Sequence, residues 1–228
     1  MRGKTAAIIG ATGLTGSYLY HLLLDDKSFD TIRVIVRRPV PKENARTEIK
    51  LVDFRDAESF RLSLEGCDVV FCAVGTTQKK VNGDKALYRT IDYDIPANAA
   101  NFCKMNGCEK FVMVSAVGAN SKSSKFYLSL KGEAEEEIRK VGLSAVHIMR
   151  PSILLGDRKE FRFGEKIGIA VTTGLSFLLP SKYKPIHANE VARAMLAASK
   201  LNDTGFFIHE YTQMRKLGNL LTNQPQHN

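Results

Sequence analysis

The sequence predicts a doubly wound α/β fold, and three observations carry that expectation. Short apolar, β-branched runs alternate along the chain with segments whose apolar residues recur at helical spacing. The strand segments are almost continuously apolar, the mark of strands buried on both faces of a parallel sheet. A glycine-rich turn, "GATGLTG", joins the first strand to the first helix.

The elements follow in order. "TAAIIG" is a short strand and "GSYLYHLLLDD" a helix behind the glycine turn. "TIRVIVRR" and "IKLVDF" are the second and third strands, and "AESFRLSLEG" is a helix stopped by Gly66. "CDVVFCAVG" is the fourth strand. "LYRTIDYDIPANAANFCKMNG" reads as one long helix ending at Gly107, and "KFVMVSAVG" as the fifth strand. The helix carrying Tyr127 runs to Gly142, and "SAVHIMRP" is a sixth strand ended by Pro151. Right-handed crossovers order these strands 3-2-1-4-5-6, with a possible seventh from "GFFIHE", so the sheet is mostly parallel with six or seven strands. No repeat, low-complexity tract or linker interrupts the chain. Residues 1–228 read as one domain with a small substrate section at about 151–190, and the polar tail "LTNQPQHN" is expected to fray.

Composition narrows the function classes. Hydrophobic residues make up 44% and charged residues 25%, as in an ordinary globular protein. The formal net charge of +9 is scattered over "RVIVRRP", "TQKKVNGDK", "SKSSK" and "PSKYKP". A nucleic-acid binder would gather it on one element with aromatics between, so the charge suits solvated surface or an anionic ligand instead. Cys67, Cys72, Cys103 and Cys108 form no Cys-x2-Cys pair, and no His-x3-His completes a metal site, so no metal is expected. The amino terminus, "MRGKTAAIIG", lacks signal-peptide architecture. The longest uncharged apolar run, "IGIAVTTGLSFLLP", falls short of the ~20 residues of a membrane span. A reduced, cytoplasmic protein without membrane association is the expectation.

The glycine turn places Gly10, Gly13 and Gly16 between a strand and a helix, where a dinucleotide pyrophosphate needs them. Gly10 allows the tight turn, Gly13 the approach of backbone to phosphate, and Gly16 close packing of helix on strand. Thr12, Leu14 and Thr15 share the turn and are expected against the cofactor, facing the positive end of the helix. An acidic residue that would hold a ribose 2′-hydroxyl is missing from the end of the second strand, which carries Arg37 and Arg38. Guanidinium groups suit a phosphate, so the expected cofactor is NADP(H) rather than NAD(H). Asp53 could accept from the adenine amino group with Phe54 beside it, and Gly75 and Thr76 follow the fourth strand at the ligand side of the sheet. For these four, loop capping is an equal reading. One tyrosine of seven has a lysine four positions later: Tyr127 and Lys131 in "SSKFYLSLKGEAEEE" share a helix face.

On "GATGLTG", "VIVRRP", "VDF", "DVVFCAVGTT", "FVMVSAVGAN", "SSKFYLSLKGEAEEE", "MRPSILLGDR" and "PIHANEVARAML", almost the whole chain resembles the short-chain dehydrogenase/reductase superfamily. Within it, the chain is most similar to the atypical, Tat-interacting-protein-like oxidoreductases. The resemblance implies a Rossmann fold that binds NADP(H), a Ser-Tyr-Lys set at Ser115, Tyr127 and Lys131, and a proline near the nicotinamide at Pro151. The glycine turn departs from typical reductases toward extended and atypical members, some of which act as regulators. In such a set an ammonium near Tyr127 favours its phenolate, Lys131 also reaches the nicotinamide ribose, and Ser115 holds a substrate carbonyl oxygen. Two functional classes remain, an NADPH-dependent reductase of a small carbonyl substrate and an NADP(H)-binding regulator. A nucleotide-sugar epimerase is a third. The segment "FRFGEKIGIAVTTGLSFLLPSKYKP" would line an apolar substrate pocket. Partners are a small molecule and possibly a protein or a second copy of the chain. His187 is the histidine nearest the substrate side; His21 and His147 have structural positions.

Overall fold

The computed structural model describes residues 3–156 and 180–222. Seven parallel strands form one sheet in the order β3-β2-β1-β4-β5-β6-β9: β1 (Thr5–Ile9), β2 (Thr31–Val36), β3 (Thr47–Leu51), β4 (Val69–Cys72), β5 (Lys110–Val114), β6 (Ala145–Met149) and β9 (Gly205–His209). The expected 3-2-1-4-5-6 order holds, and "GFFIHE" supplies the seventh strand beside β6. A small parallel pair, β7 (Leu154–Leu155) with β8 (Ile186–His187), lies outside that sheet and was not expected.

Two apolar layers sandwich the sheet. On one face α1 (Leu14–Asp25), α6 (Ala188–Ser199) and α7 (Tyr211–Thr222) bury Leu19, Leu23, Val191, Met195 and Met214 against Ile8, Phe71 and Val112. On the other, α2 (Ala57–Ser63), α4 (Ile95–Met105) and α5 (Phe126–Val141) bury Phe60, Ala99, Cys103 and Ile138 against Ile9, Val70 and Phe111. Neighbouring residues of one strand thus serve opposite cores, which is why the strands read as unbroken apolar runs. All four cysteines are free and buried. Gly66, Gly107 and Gly142 lie at positive φ behind their helices, the stop geometry expected of them.

The long helix expected over "LYRTIDYDIPANAANFCKMNG" is corrected. It is continuous but not uniform: α3 (Lys85–Arg89) passes into a π turn at Thr90–Asp94, then into α4. Pro96 gives the reason. It has no N–H for the carbonyl of Asp92, four residues back, and its ring would clash with that carbonyl in a regular helix. A widened turn relieves the clash and changes which way Asp92 faces. The candidate substrate section falls largely on residues 157–179, outside the described residues.

Candidate functional site

The site lies at the carboxyl ends of β1, β4, β5 and β6, where the strand order reverses between β1 and β4. Gly10 follows β1 at φ +91°, a conformation that favours glycine, and its N–H-bonded partner is close: Gly13 N donates to Gly10 O at 2.9 Å. A Cβ on Gly10 would meet the Ala73 carbonyl carbon at 2.9 Å, and one on Gly16 would lie 2.7 Å from Gly10 C. Only glycines let β1, β4 and α1 approach so closely. Gly13 is the N-cap of α1 and contributes no side chain, and no acidic residue occupies the first turn, so the helix N-terminus is left electropositive.

Two connected hollows open here. The larger, about 720 Å³, runs from Thr12 and Gly13 past Gly75 and Thr76 to Arg37 and Arg38. A neighbouring hollow extends it over Asp53 and Phe54. Both arginines are exposed, and no described carboxylate forms an ion pair with either. Phe54 packs edge-on against Phe60, ring centroids 4.8 Å apart. Asp53 is held by Arg55, with Nη2 to Oδ2 at 3.1 Å, and these hydrogen bonds keep its carboxyl below the usual range. A smaller inner cavity is walled by Leu14, Thr15, Ser115, Tyr127, Pro151 and Ser152. The structure therefore gathers Gly10, Thr12, Gly13, Arg37, Arg38, Phe54, Gly75 and Thr76 on the outer hollow, and Ser115, Tyr127 and Pro151 on the inner one. Gly16 sits beneath the turn as a packing glycine. His187 caps α6, its backbone N–H donating to Glu190 at 3.1 Å, and does not line the inner cavity.

Tyr127 is half-buried on the first turn of α5, its ring edge-on to Tyr88 with centroids 6.2 Å apart. Lys131 lies one turn deeper and is 1% exposed. Its Nζ is 2.8 Å from Oδ1 of Asp92, which is fully buried in the π turn. The other oxygen of Asp92, Oδ2, accepts from Thr76 N at 2.8 Å, and the Tyr88 hydroxyl donates to Thr76 O at 3.1 Å. The backbone N–H of Thr76 is thus committed to Asp92. Cys72, below this pair at the end of β4, is pushed up to about 12 by burial and stays a thiol.

Ser115 directly follows β5, but its hydroxyl donates to Glu135, one turn after Lys131 on α5. Glu135 is 4% exposed and also paired with Arg150, whose Nε lies 3.0 Å from Oε1. Two buried carboxylates that the sequence reading passed over therefore organise the site. Asp92 stands four residues before Pro96, the one local signal that could have found it. Glu135 stands in the acidic run "EAEEE", where only the i+4 spacing from Lys131 distinguishes it.

A deep glycine-lined crevice at the switch point, a bare helix N-terminus and cations at the end of β2 define a dinucleotide-binding Rossmann protein. A family model described as NAD(P)H-binding matches residues 10–202. The chain belongs to that NAD(P)H-binding family, among the atypical short-chain dehydrogenases/reductases that include its relatives HTATIP2 and FMP52. It is 34% identical to protein HTATIP2 of Rattus norvegicus over 168 residues, covering 72% of this chain and 69% of the relative. It is 36% identical over 179 residues to the mitochondrial protein FMP52 of Candida glabrata, covering 78% and 75%. Among solved structures, MoeE5 in complex with UDP-glucose and NAD superposes with a TM-score of 0.68 at 16% identity, covering 96% of this chain and 82% of that one. UDP-N-acetylglucosamine 4-epimerase from Methanobrevibacter ruminantium gives 0.68 at 18%, covering 98% and 82%. These two share the fold. No described helix is long and apolar enough to cross a membrane.

Proposed function

We propose that this protein is an NADP(H)-dependent reductase of a small, apolar carbonyl compound. The observation that carries the reading is the inner cavity, where Tyr127 faces the glycine turn and Pro151 while Lys131 stands one helical turn behind it. The residues present fit the cofactor. A side chain at Gly13 would come within 3.0 Å of Gly10 O, so the cradle depends on bare backbone. In this reading Gly10, Gly13, Leu14 and Thr15 hold the pyrophosphate, Arg37 and Arg38 the 2′-phosphate, and Asp53 and Phe54 the adenine. Gly75, Thr76 and Pro151 hold the nicotinamide half. When bound, the reduced cofactor supplies a hydride. Tyr127 supplies the proton from its hydroxyl to the carbonyl oxygen, and Lys131 orients the ribose and the phenol through its ammonium protons. Positioned proton transfer of this kind contributes about 10²–10⁴ in rate. The test is NADPH oxidation against a panel of aldehydes, ketones and quinones. We expect Tyr127→Phe to lower turnover at least ~10²-fold while NADPH affinity changes less than about threefold. Full turnover by that variant rejects the role of Tyr127.

One observation favours the regulator as second reading. The Ser115 hydroxyl gives its proton to Glu135. Tight NADPH binding with no oxidation across the panel would select that reading. The mitochondrial designation of the FMP52 relatives sets a second address beside the cytoplasmic one. Subcellular fractionation decides between them.

A further inference from the structure

We propose that Lys80, in the loop after β4, binds the diphosphate of the dinucleotide where the outer hollow and the inner cavity meet. This rests on the cofactor reading above and on no particular substrate. The two spaces share the lining residues Gly13, Ala73, Val74, Gly75 and Lys80. These residues mark the neck between them. A dinucleotide that fills both, adenosine in the outer hollow and nicotinamide in the inner cavity, has to pass its diphosphate through that neck. Gly13, Ala73, Val74 and Gly75 offer only backbone polar groups there. Lys80 brings the charge, and among the described residues it is the only charged one along the inner cavity. Arg37 and Arg38 line the outer hollow alone, toward the adenosine end. A diphosphate is doubly anionic, and the bare N-terminus of α1 at Gly13 supplies only about half a positive charge. An ammonium on the same neck offsets more of the remainder through charge-assisted hydrogen bonds, and as a point charge it suits either phosphate.

The backbone of the loop fixes where this side chain starts. Thr77 O accepts from the amides of Lys80 and Val81 at 3.0 and 3.3 Å, and Gly83 N donates to Gln78 O at 3.0 Å. Asn82 and Gly83 take φ +49° and +79°, a left-handed pair that turns the chain into α3. Val81, next to Lys80, is buried against Tyr88 and Leu130 and pins the loop to the body of the protein. Asp84 then caps α3, accepting from Leu87 N at 3.0 Å. Lys79 belongs to the same loop and is also exposed, but lines neither space.

The experiment measures NADPH and NADH dissociation constants by titration calorimetry for the full chain and for Lys80→Met, Lys80→Arg and Lys79→Met. Lys80 is exposed, so neither replacement there disturbs the core. We expect Lys80→Met to weaken both cofactors about tenfold and to leave their ratio within about threefold of wild type. Lys80→Arg keeps the charge and should stay within about threefold of wild type for each; a loss as large as that of methionine overturns the proposal. Unchanged binding of both cofactors in Lys80→Met overturns it too. Weakening of NADPH alone assigns Lys80 to the 2′-phosphate and also overturns it. Lys79→Met should stay within about threefold, and a loss equal to that of Lys80→Met makes the effect one of net charge and rejects the contact. A second probe, 2′-AMP, has no diphosphate and should bind wild type and Lys80→Met alike; weaker binding to the variant counts against the assignment. These readouts need no substrate. If no carbonyl compound is reduced, the reductase reading fails while the binding constants still decide this one.

Discussion

In the proposed function, cofactor choice turns on Arg37 and Arg38. Both stand exposed on the outer hollow past the end of β2, with no described carboxylate paired to them. A planar guanidinium engages a phosphate through two charge-assisted bonds, each stronger than a neutral one. NADPH should therefore bind about 10²-fold more tightly than NADH, and the double substitution Arg37→Ala, Arg38→Ala should erase the difference by weakening NADPH alone. Titration calorimetry with both cofactors measures it, and equal affinities in the wild type remove the role. These arginines were legible in the sequence because position after a strand suffices to place them. So were Tyr127 and Lys131, because four residues on a helix fix a shared face. Asp92 was not: its side chain finds Lys131 only through a π turn, and a sequence window scores "IDYDIP" as helix with an awkward proline. Nor was the commitment of Ser115, because its partner Glu135 is one acid in a run of them.

At the scale of elements, the site depends on two close approaches. The first is α1 on the glycine turn, at Gly16. The second is α5 on the loop before it, where a Cβ on Gly132 would lie 2.6 Å from Asn120 Cα, and closer still to the Ser121 amide. Backbone cannot yield as a flexible side chain can. Gly132→Ala should therefore move α5 outward by its start and destabilise the protein by about 1–3 kcal/mol, read as a lower urea midpoint. It should also shift Tyr127 relative to the inner cavity, since that tyrosine rides the displaced helix. Alanine at a solvated helix position would instead stabilise, so the sign of the change distinguishes contact from propensity. The order of the strands was legible from alternation and handedness alone. The pair β7–β8 was not, because two-residue strands carry no period, and they join parts of the chain on either side of residues 157–179.

The molecule as a whole carries a pH dependence away from the site. His147 is fully buried in β6, with Nδ1 3.0 Å from His209 Nε2 on β9 and Nε2 3.2 Å from Asp203 Oδ1. Burial holds both imidazoles below their usual value, and with the added repulsion of His147 it takes His209 down to about 4. The unfolded chain protonates these histidines near 6.5, so below that pH it binds protons that the folded chain refuses. Stability from these groups is complete above pH 6.5 and is lost as pH falls toward about 4. A melting temperature that declines over this window, and declines less in His209→Gln, is the expected result. A slope identical in the variant would remove the role of His209; carboxylates such as Asp26 and Glu48, held below their usual values, lose their contribution only at pH below about 5.

The packing of α6 against α1 has a consequence for synthesis. The glycine turn and its helix are made before α6, yet the apolar face of α1 is covered by Val191, Ala194 and Met195, which follow much later in the chain. Strand β9, which flanks β6, emerges later still. The growing chain thus holds its nucleotide cradle unbacked until α6 has been made, and a nascent polypeptide halted before residue 188 should not retain the cofactor.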